Sequence, residues 1–232
     1  LKPRRYKRVT PVSAAANGSG VFNGTSKYLS AARNTAFLPV ANEDFTFEAW
    51  VYLTATPTEP VIGAQIVGLG EYGTDSDWVF GVTSSLQASL YLNATITSYT
   101  NTTTLLLNTW NHVAASRSGT GTNNLKVFVN GVGTSFTTNS TTVFSGLRNL
   151  TIGADQNGDE AILTGFISNL RIVKGTAVYT ANFTPPTAPL TAITNTSLLL
   201  LMNATPFVDT SVNAFTITNT GPVTYSSSVS PF

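Results

Sequence analysis

The chain holds one histidine, His112, and no cysteine among its 232 residues, and those two counts decide most of the chemistry open to it. A cysteine nucleophile is excluded, and a zinc site built from several His or Cys ligands cannot be assembled. A Ser-His-Asp triad would have to use His112, which lies beside Trp110 in "WNHVAASRS", and no Gly-x-Ser-x-Gly elbow occurs. His112 reads instead as a partly buried histidine hydrogen-bonded within a sheet. Glycoside hydrolysis by paired carboxylates needs two of them about 5 to 9.5 Å apart across one cleft. The carboxylate in the clearest strand is Glu48, and the residues two positions to either side are Thr46 and Trp50. No enzyme is expected; a glycoside hydrolase is the third reading, behind a recognition role and a purely structural one.

Two polar loops offer oxygen ligands. "DQNGDE" (155 to 160) gathers Asp155, Asp159 and Glu160 around a glycine, and "EYGTDSD" (71 to 77) offers Asp75 and Asp77. Calcium takes hard oxygen ligands from such loops, so Asp155, Asp159 and Glu160 are the metal candidates, without the spacing of an EF-hand. Tyr72, Trp78 and Tyr99 sit at or beside loops. There a flat ring could stack on a sugar while Asp75 or Asp77 accepts hydroxyl hydrogen bonds, or the rings could cap the ends of a sandwich. A phosphate loop is not expected, because "GSGVFNG" lacks the Lys-Ser/Thr ending and a following helix.

Charge is sparse, at 10% of residues, and unevenly placed. Lys2, Arg4, Arg5, Lys7 and Arg8 are five of the twelve basic residues; without them seven face eleven acidic side chains. The basic arm could anchor on an acidic partner. The body has no matching basic stripe, which argues against nucleic acid. The apolar run "TSLLLLM" is too short to span a bilayer, so no membrane insertion is expected. Nine Asn-x-Ser/Thr triplets, Asn17, Asn93, Asn101 and Asn139 among them, are frequent by chance in a chain this rich in Asn and Thr.

These residues need a scaffold, and the sequence writes one in strands. "FTFEAWVYL" (45 to 53) alternates, with Phe45, Phe47, Ala49, Val51 and Leu53 on one face and Thr46, Glu48, Trp50 and Tyr52 on the other. Two short β segments flank Asn23-Gly24, and Asn130-Gly131 predicts a tight type I′ hairpin inside "LKVFVNGVGTSFT". Short strands are also expected at "QIVGLG", "WVFGVT", "LQASLYLNATITSYT", "WNHVAASRS", "NLTIG", "TGFISNLRIV", "SLLLLM" and "FTITNT". In 164 to 173 the alternation places Phe166, Leu170 and Ile172 on one face and Ile167, Asn169, Arg171 and Val173 on the other. Arg171 and Lys174 then read as surface or edge charges, and Tyr179 and Phe183 as plugs on the sandwich edge before the prolines. Many short strands joined by Gly, Asn, Thr and Asp turns predict an all-β sandwich or barrel.

Four stretches in order, "GSGVFNGTSKYLS", "FTFEAWVYL", "WNHVAASRSG…LKVFVNG" and "IGA…GFISNLRIVKGTAVYTANFTPP", resemble a laminin-G-like module of the concanavalin A-like lectin/glucanase superfamily. The resemblance implies a two-sheet antiparallel jelly-roll sandwich without shared catalytic residues. It divides the chain into an arm or linker (1–17), the module (18–190) and C-terminal strands and tail (191–232). The closing segment to "VSPF" is similar to tails of such modules in bacteriophage and marine-virus proteins. The resemblance therefore implies a virion-surface placement on capsid or tail, other virion proteins as partners, and adhesion to a host-surface glycan or a purely structural role. An oligomer is compatible with either role.

Overall fold

Among the described residues, alternating apolar and polar positions fold into fifteen strands and almost no helix. The computed structural model describes residues 17–40, 42–70, 77–92, 98–138 and 148–232. In chain order the strands begin with β1 (Ser19–Asn23), β2 (Tyr28–Ala31), β3 (Phe45–Leu53), β4 (Ala64–Leu69) and β5 (Trp78–Val82). They continue with β6 (Gln87–Leu92), β7 (Ser98–Thr104), β8 (Trp110–Arg117), β9 (Leu125–Val129) and β10 (Val132–Phe136). The last five are β11 (Leu150–Ile152), β12 (Thr164–Lys174), β13 (Thr196–Leu200), β14 (Ile217–Thr220) and β15 (Thr224–Ser226).

Two antiparallel sheets result. One has the order β10-β9-β8-β3-β12-β1-β15, with β13 also paired to β12; the other runs β14-β2-β11-β4-β5-β6-β7. This is the expected all-β two-sheet sandwich. Phe45, Phe47, Ala49, Val51 and Leu53 of β3 enter the core between the sheets, as their alternation predicts. The turn at Asn130-Gly131 has the two positive-φ residues of a tight hairpin, joining β9 to β10. The Asn23-Gly24 turn does something different: β1 and β2 belong to opposite sheets, so it carries the chain across the rim and closes no hairpin.

The sequence reading of β12 needs a correction. Ser168 pairs with Trp50 and Arg171 with Glu48, so Asn169 and Leu170 together oppose Ala49. That is a β-bulge, and Asn169 occupies the left-handed conformation it requires, with φ 51°. The extra residue shifts the alternation by one. Ile167, Leu170 and Ile172 point into the core, whereas Phe166, Ser168, Arg171 and Val173 lie on the outer face. The bulge also divides the far edge of β12: β1 pairs with residues 164–167, and β13 with residues 170–173.

The strands after residue 190 are woven into both sheets. β13 joins β12, β15 joins β1, and β14 lines the edge of β2. Asp209, only 2% exposed, holds the intervening loop by accepting from the backbone N–H groups of Leu199, Ser211 and Phe215 at 2.9–3.0 Å. Asn17 and Phe232 meet where the Asn17 amide donates to the Phe232 carbonyl at 3.0 Å.

Candidate functional site

The outer face of the first sheet carries a buried polar centre that the sequence only half revealed. Glu48 on β3 faces away from the core, yet it is 0% exposed. Arg171 on the neighbouring β12 donates through Nε at 2.8 Å and lies at 2.5 Å through Nη2. His112 Nε2, from β8 on the other side, is 3.2 Å from Oε2, and the Tyr179 hydroxyl donates to the same oxygen at 2.7 Å. Burial by itself pushes the Glu48 carboxyl up. The His112 hydrogen bond, the Arg171 charge and the Tyr179 hydroxyl outweigh it and hold the group below its ordinary value. The Tyr179 phenol is raised, by burial first and then by the Glu48 charge.

Above this centre the Tyr179 and Phe183 rings stack at 3.7 Å and 7°, and Phe183 meets His112 and Phe128 edge-on. The chain after β12 therefore forms a strap over the sheet face rather than a plug at its edge. Arg171, read as an edge charge, is 5% exposed and fixes the strap further by donating from Nη1 to the Thr191 carbonyl at 2.8 Å. The strap explains the difference, because it covers the outer face on which Arg171 lies. Lys174 stays partly exposed beside Glu43, at 3.8 Å. Glu48 is sealed from solvent, and its partners are two bases and a phenol, so it is no member of a carboxylate pair working on substrate.

The ring-and-carboxylate proposal at residues 72–99 divides. Tyr72 and Asp75 lie outside the described residues. Trp78 cannot stack on a sugar: it is fully buried, stacked on Phe47 at 4.0 Å and 12°, and its indole N–H donates to the Phe37 carbonyl at 2.9 Å. As the first residue of β5 it points into the core. Asp77 is 5% exposed, and its backbone N–H closes the β4–β5 connection by donating to the Leu69 carbonyl at 2.8 Å. Tyr99 is partly exposed and meets Phe136 edge-on at 5.5 Å, packed against the core. Among the described residues, Asp77, Trp78 and Tyr99 form no common sugar-stacking surface. The Asn101 triplet is likewise closed, because its buried amide donates to the Val127 and Val132 carbonyls at 2.5 and 3.0 Å.

The 155–160 loop survives as a site, though in a different form. Asp155 is 2% exposed, and its Oδ1 accepts from the backbone N–H groups of Gly158, Asp159 and Glu160 at 2.8–3.2 Å. That carboxylate folds the loop and turns away from the exposed side chains of Asp159 and Glu160. The calcium candidates are thereby separated, and among the described residues no three acidic, His or Cys side chains gather as a metal would require.

Asp159 and Glu160 instead edge a cleft of about 520 Å³ at the sandwich rim. Its opposite wall, residues 55–64, carries Pro57 and Pro60 and is held in the same manner. Glu59 Oε2 accepts from the N–H groups of Val61, Ile62 and Gly63 at 2.9, 2.5 and 3.0 Å. Tyr91 adds a hydroxyl donated to the Val61 carbonyl at 2.6 Å. Gly24 and Thr164 complete the lining, and among the described residues no lysine or arginine lines the cleft. Sequence reading missed the 55–64 wall, although a glutamate between two prolines and just ahead of "VIG" is its trace.

Comparison with known proteins places this geometry in a family. Residues 23–178 match the laminin-G type 3 family model, described as the concanavalin A-like lectin/glucanases superfamily. Among solved structures, a candidate carbohydrate-binding protein from Bacteroides ovatus superposes with a TM-score of 0.68 at 16% identity, covering 91% of this chain and 60% of that one. The chain thus spans about three fifths of that protein. A heptameric SAP-like pentraxin from Limulus polyphemus gives 0.54 at 16% identity, with 73% and 81% covered. The CBM40 of a Ruminococcus gnavus sialidase, solved with α2,3-sialyllactose, gives 0.52 at 14% identity, with 71% and 92% covered. No curated protein sequence matches the chain.

Proposed function

Since the chain belongs to the concanavalin A-like lectin/glucanases superfamily, we propose that it is a non-catalytic glycan-binding module acting through the rim cleft between residues 55–64 and 155–164. The observation that carries this reading is the cleft itself. Two loops, each folded around a carboxylate that accepts three backbone N–H groups, hold the exposed Asp159 and Glu160 beside small and uncharged residues. A sugar ring offers hydroxyl donors around an apolar body. Exposed carboxylates accept two such donors in geometries that a neutral acceptor matches less strongly. Loops fixed before binding lose little freedom on binding, which favours affinity from few contacts. The likeness of the fold to proteins described as carbohydrate-binding supports the same reading.

Isothermal titration with the oligosaccharides that bind on a glycan array provides the test. Asp159→Asn with Glu160→Gln should weaken binding at least tenfold, while a chelator should leave the wild type unchanged. Loss of wild-type binding on chelation, or full affinity in the double variant, would contradict the cleft as described.

The charge division favours a second reading, a structural virion protein anchored by Lys2, Arg4, Arg5, Lys7 and Arg8, which lie outside the described residues. Deleting residues 1–12 should release it from the particle; attachment that survives the deletion would end that reading.

A further inference from the structure

The cleft lies beside a row of aromatic rings that nothing in the core explains. Trp110 pairs with Tyr52, and Tyr52 with Phe166, across the adjacent strands β8, β3 and β12. All three point away from the core, and all three are partly exposed. Ring centroids are 5.7 Å apart for Trp110 and Tyr52 and 5.5 Å for Tyr52 and Phe166. The row continues at the same level through Val21 on β1 and Thr224 on β15, both uncharged. Five neighbouring strands at about 4.8 Å spacing make it roughly 19 Å long. Further along the face the surface is roofed: Tyr179 and Phe183 cover Glu48 and His112, and Phe232 meets Trp50 edge-on at 5.7 Å. Among the described residues the roof stops short of the three rings, which remain partly exposed.

This row and the cleft share one end of the sandwich. Thr164, in the cleft lining, is two residues before Phe166 on the same strand, a span of about 7 Å. Thr54, bonded through its N–H to the Thr164 carbonyl at 3.1 Å, is likewise two residues after Tyr52 and one before the cleft residue Ala55. We infer that the cleft and the Phe166–Tyr52–Trp110 row form one extended surface for an uncharged oligosaccharide chain. The inference rests on the glycan-binding reading of the cleft and adds the length and charge class of its ligand.

Two properties of the surface select that ligand. Trp110 and Phe166 each meet Tyr52 edge-on, at interplanar angles of 66° and 87°, so the row offers aromatic faces and edges in alternation to the apolar C–H faces of pyranose rings, and a strand spacing of about 4.8 Å repeats on the scale of a single sugar. Among the described residues the cleft contributes Glu59, Asp159 and Glu160 and no cationic side chain, so a uronate or sialate carboxylate placed there meets like charge. A neutral chain avoids that repulsion and still donates hydroxyls to the carboxylates.

The probes are neutral β1,4-linked hexasaccharides of glucose, mannose and xylose, their disaccharides, and hexagalacturonate. Wild-type protein should bind at least one neutral hexasaccharide tenfold or more above its disaccharide, shift the Trp110 indole N–H resonance on binding, and ignore hexagalacturonate. Trp110→Thr and Tyr52→Thr, each checked by denaturant unfolding, should reduce that length dependence to less than threefold. Equal affinity for short and long chains with an unmoved Trp110 signal overturns the row and leaves the cleft standing. Preference for hexagalacturonate overturns the charge class. Absence of binding to every probe overturns row and cleft together. A wild-type dimer in sedimentation that either variant dissolves assigns the row to self-association and also overturns the inference.

Discussion

Glu48 shows at the scale of one residue how this sandwich keeps a charge away from water. Its carboxylate is enclosed by Arg171, His112 and Tyr179 on an outer sheet face, where an unpaired charge would be costly. Replacing it with glutamine leaves Arg171 buried without a counter-charge, and removal of one partner of a buried pair costs about 3–5 kcal/mol. Urea unfolding of Glu48→Gln at pH 7 should show that loss. The pH dependence follows from the direction of the shift. The folded carboxyl titrates below the ordinary value of about 4.3, so between that value and the folded one the unfolded chain binds more protons. The stabilisation is therefore complete above about pH 4.3 and declines as pH falls through the folded value. Wild-type protein should lose stability on acidification from pH 5 more steeply than Glu48→Gln, and parallel curves would contradict the arrangement.

The bulge in β12 governs more than its own strand. Asn169 accepts from the Leu190 N–H at 2.8 Å while holding φ 51°, so one side chain both allows the extra residue and ties down the strap. Asn169→Val should destabilise by about 2–4 kcal/mol, joining the cost of a left-handed β-branched residue to a lost hydrogen bond. Asn169→Gly keeps the backbone conformation and loses only the side-chain hydrogen bonds to the Leu190 N–H and the Ser168 hydroxyl, so a smaller loss of about 1–2 kcal/mol is expected. Equal losses in denaturant unfolding would show that the conformation carries no weight.

This element also marks how far the sequence could be read. The alternation of β3 and the Asn130-Gly131 turn are local signals, and both appear in the structure as their pattern predicts. A bulge has no such signature. Strict alternation through residues 164–173 placed Arg171 correctly opposite Ile172 yet grouped Phe166 with the core, and nothing in those ten residues announces a strap folding back over them. Trp78 stays open between sugar stacking and capping for a similar reason: a ring next to a loop can point outward or inward, and only the pairing of Trp78 with Leu69 and Leu92 fixes it inward. The 155–160 loop was legible as a polar site, but its Asp155 proved to be the residue that folds it.

For the whole molecule, the folded unit is wider than the family match. Residues 23–178 carry the family pattern, while β1 begins before it and β13, β14 and β15 come after it, pairing with β12, β2 and β1. Both ends of the described chain therefore take part in closing the two sheets. No disulfide contributes to this stability, since no cysteine is present. The same closure sets the rim loops in fixed positions, and the cleft is their joint product. Amide chemical-shift mapping during titration with a bound neutral oligosaccharide tests that central claim most directly. The account predicts shifts concentrated in residues 55–64 and 155–164 and extending to Tyr52, Trp110 and Phe166. Shifts confined to another region of the sandwich, or a spectrum unmoved by every glycan offered, would contradict it.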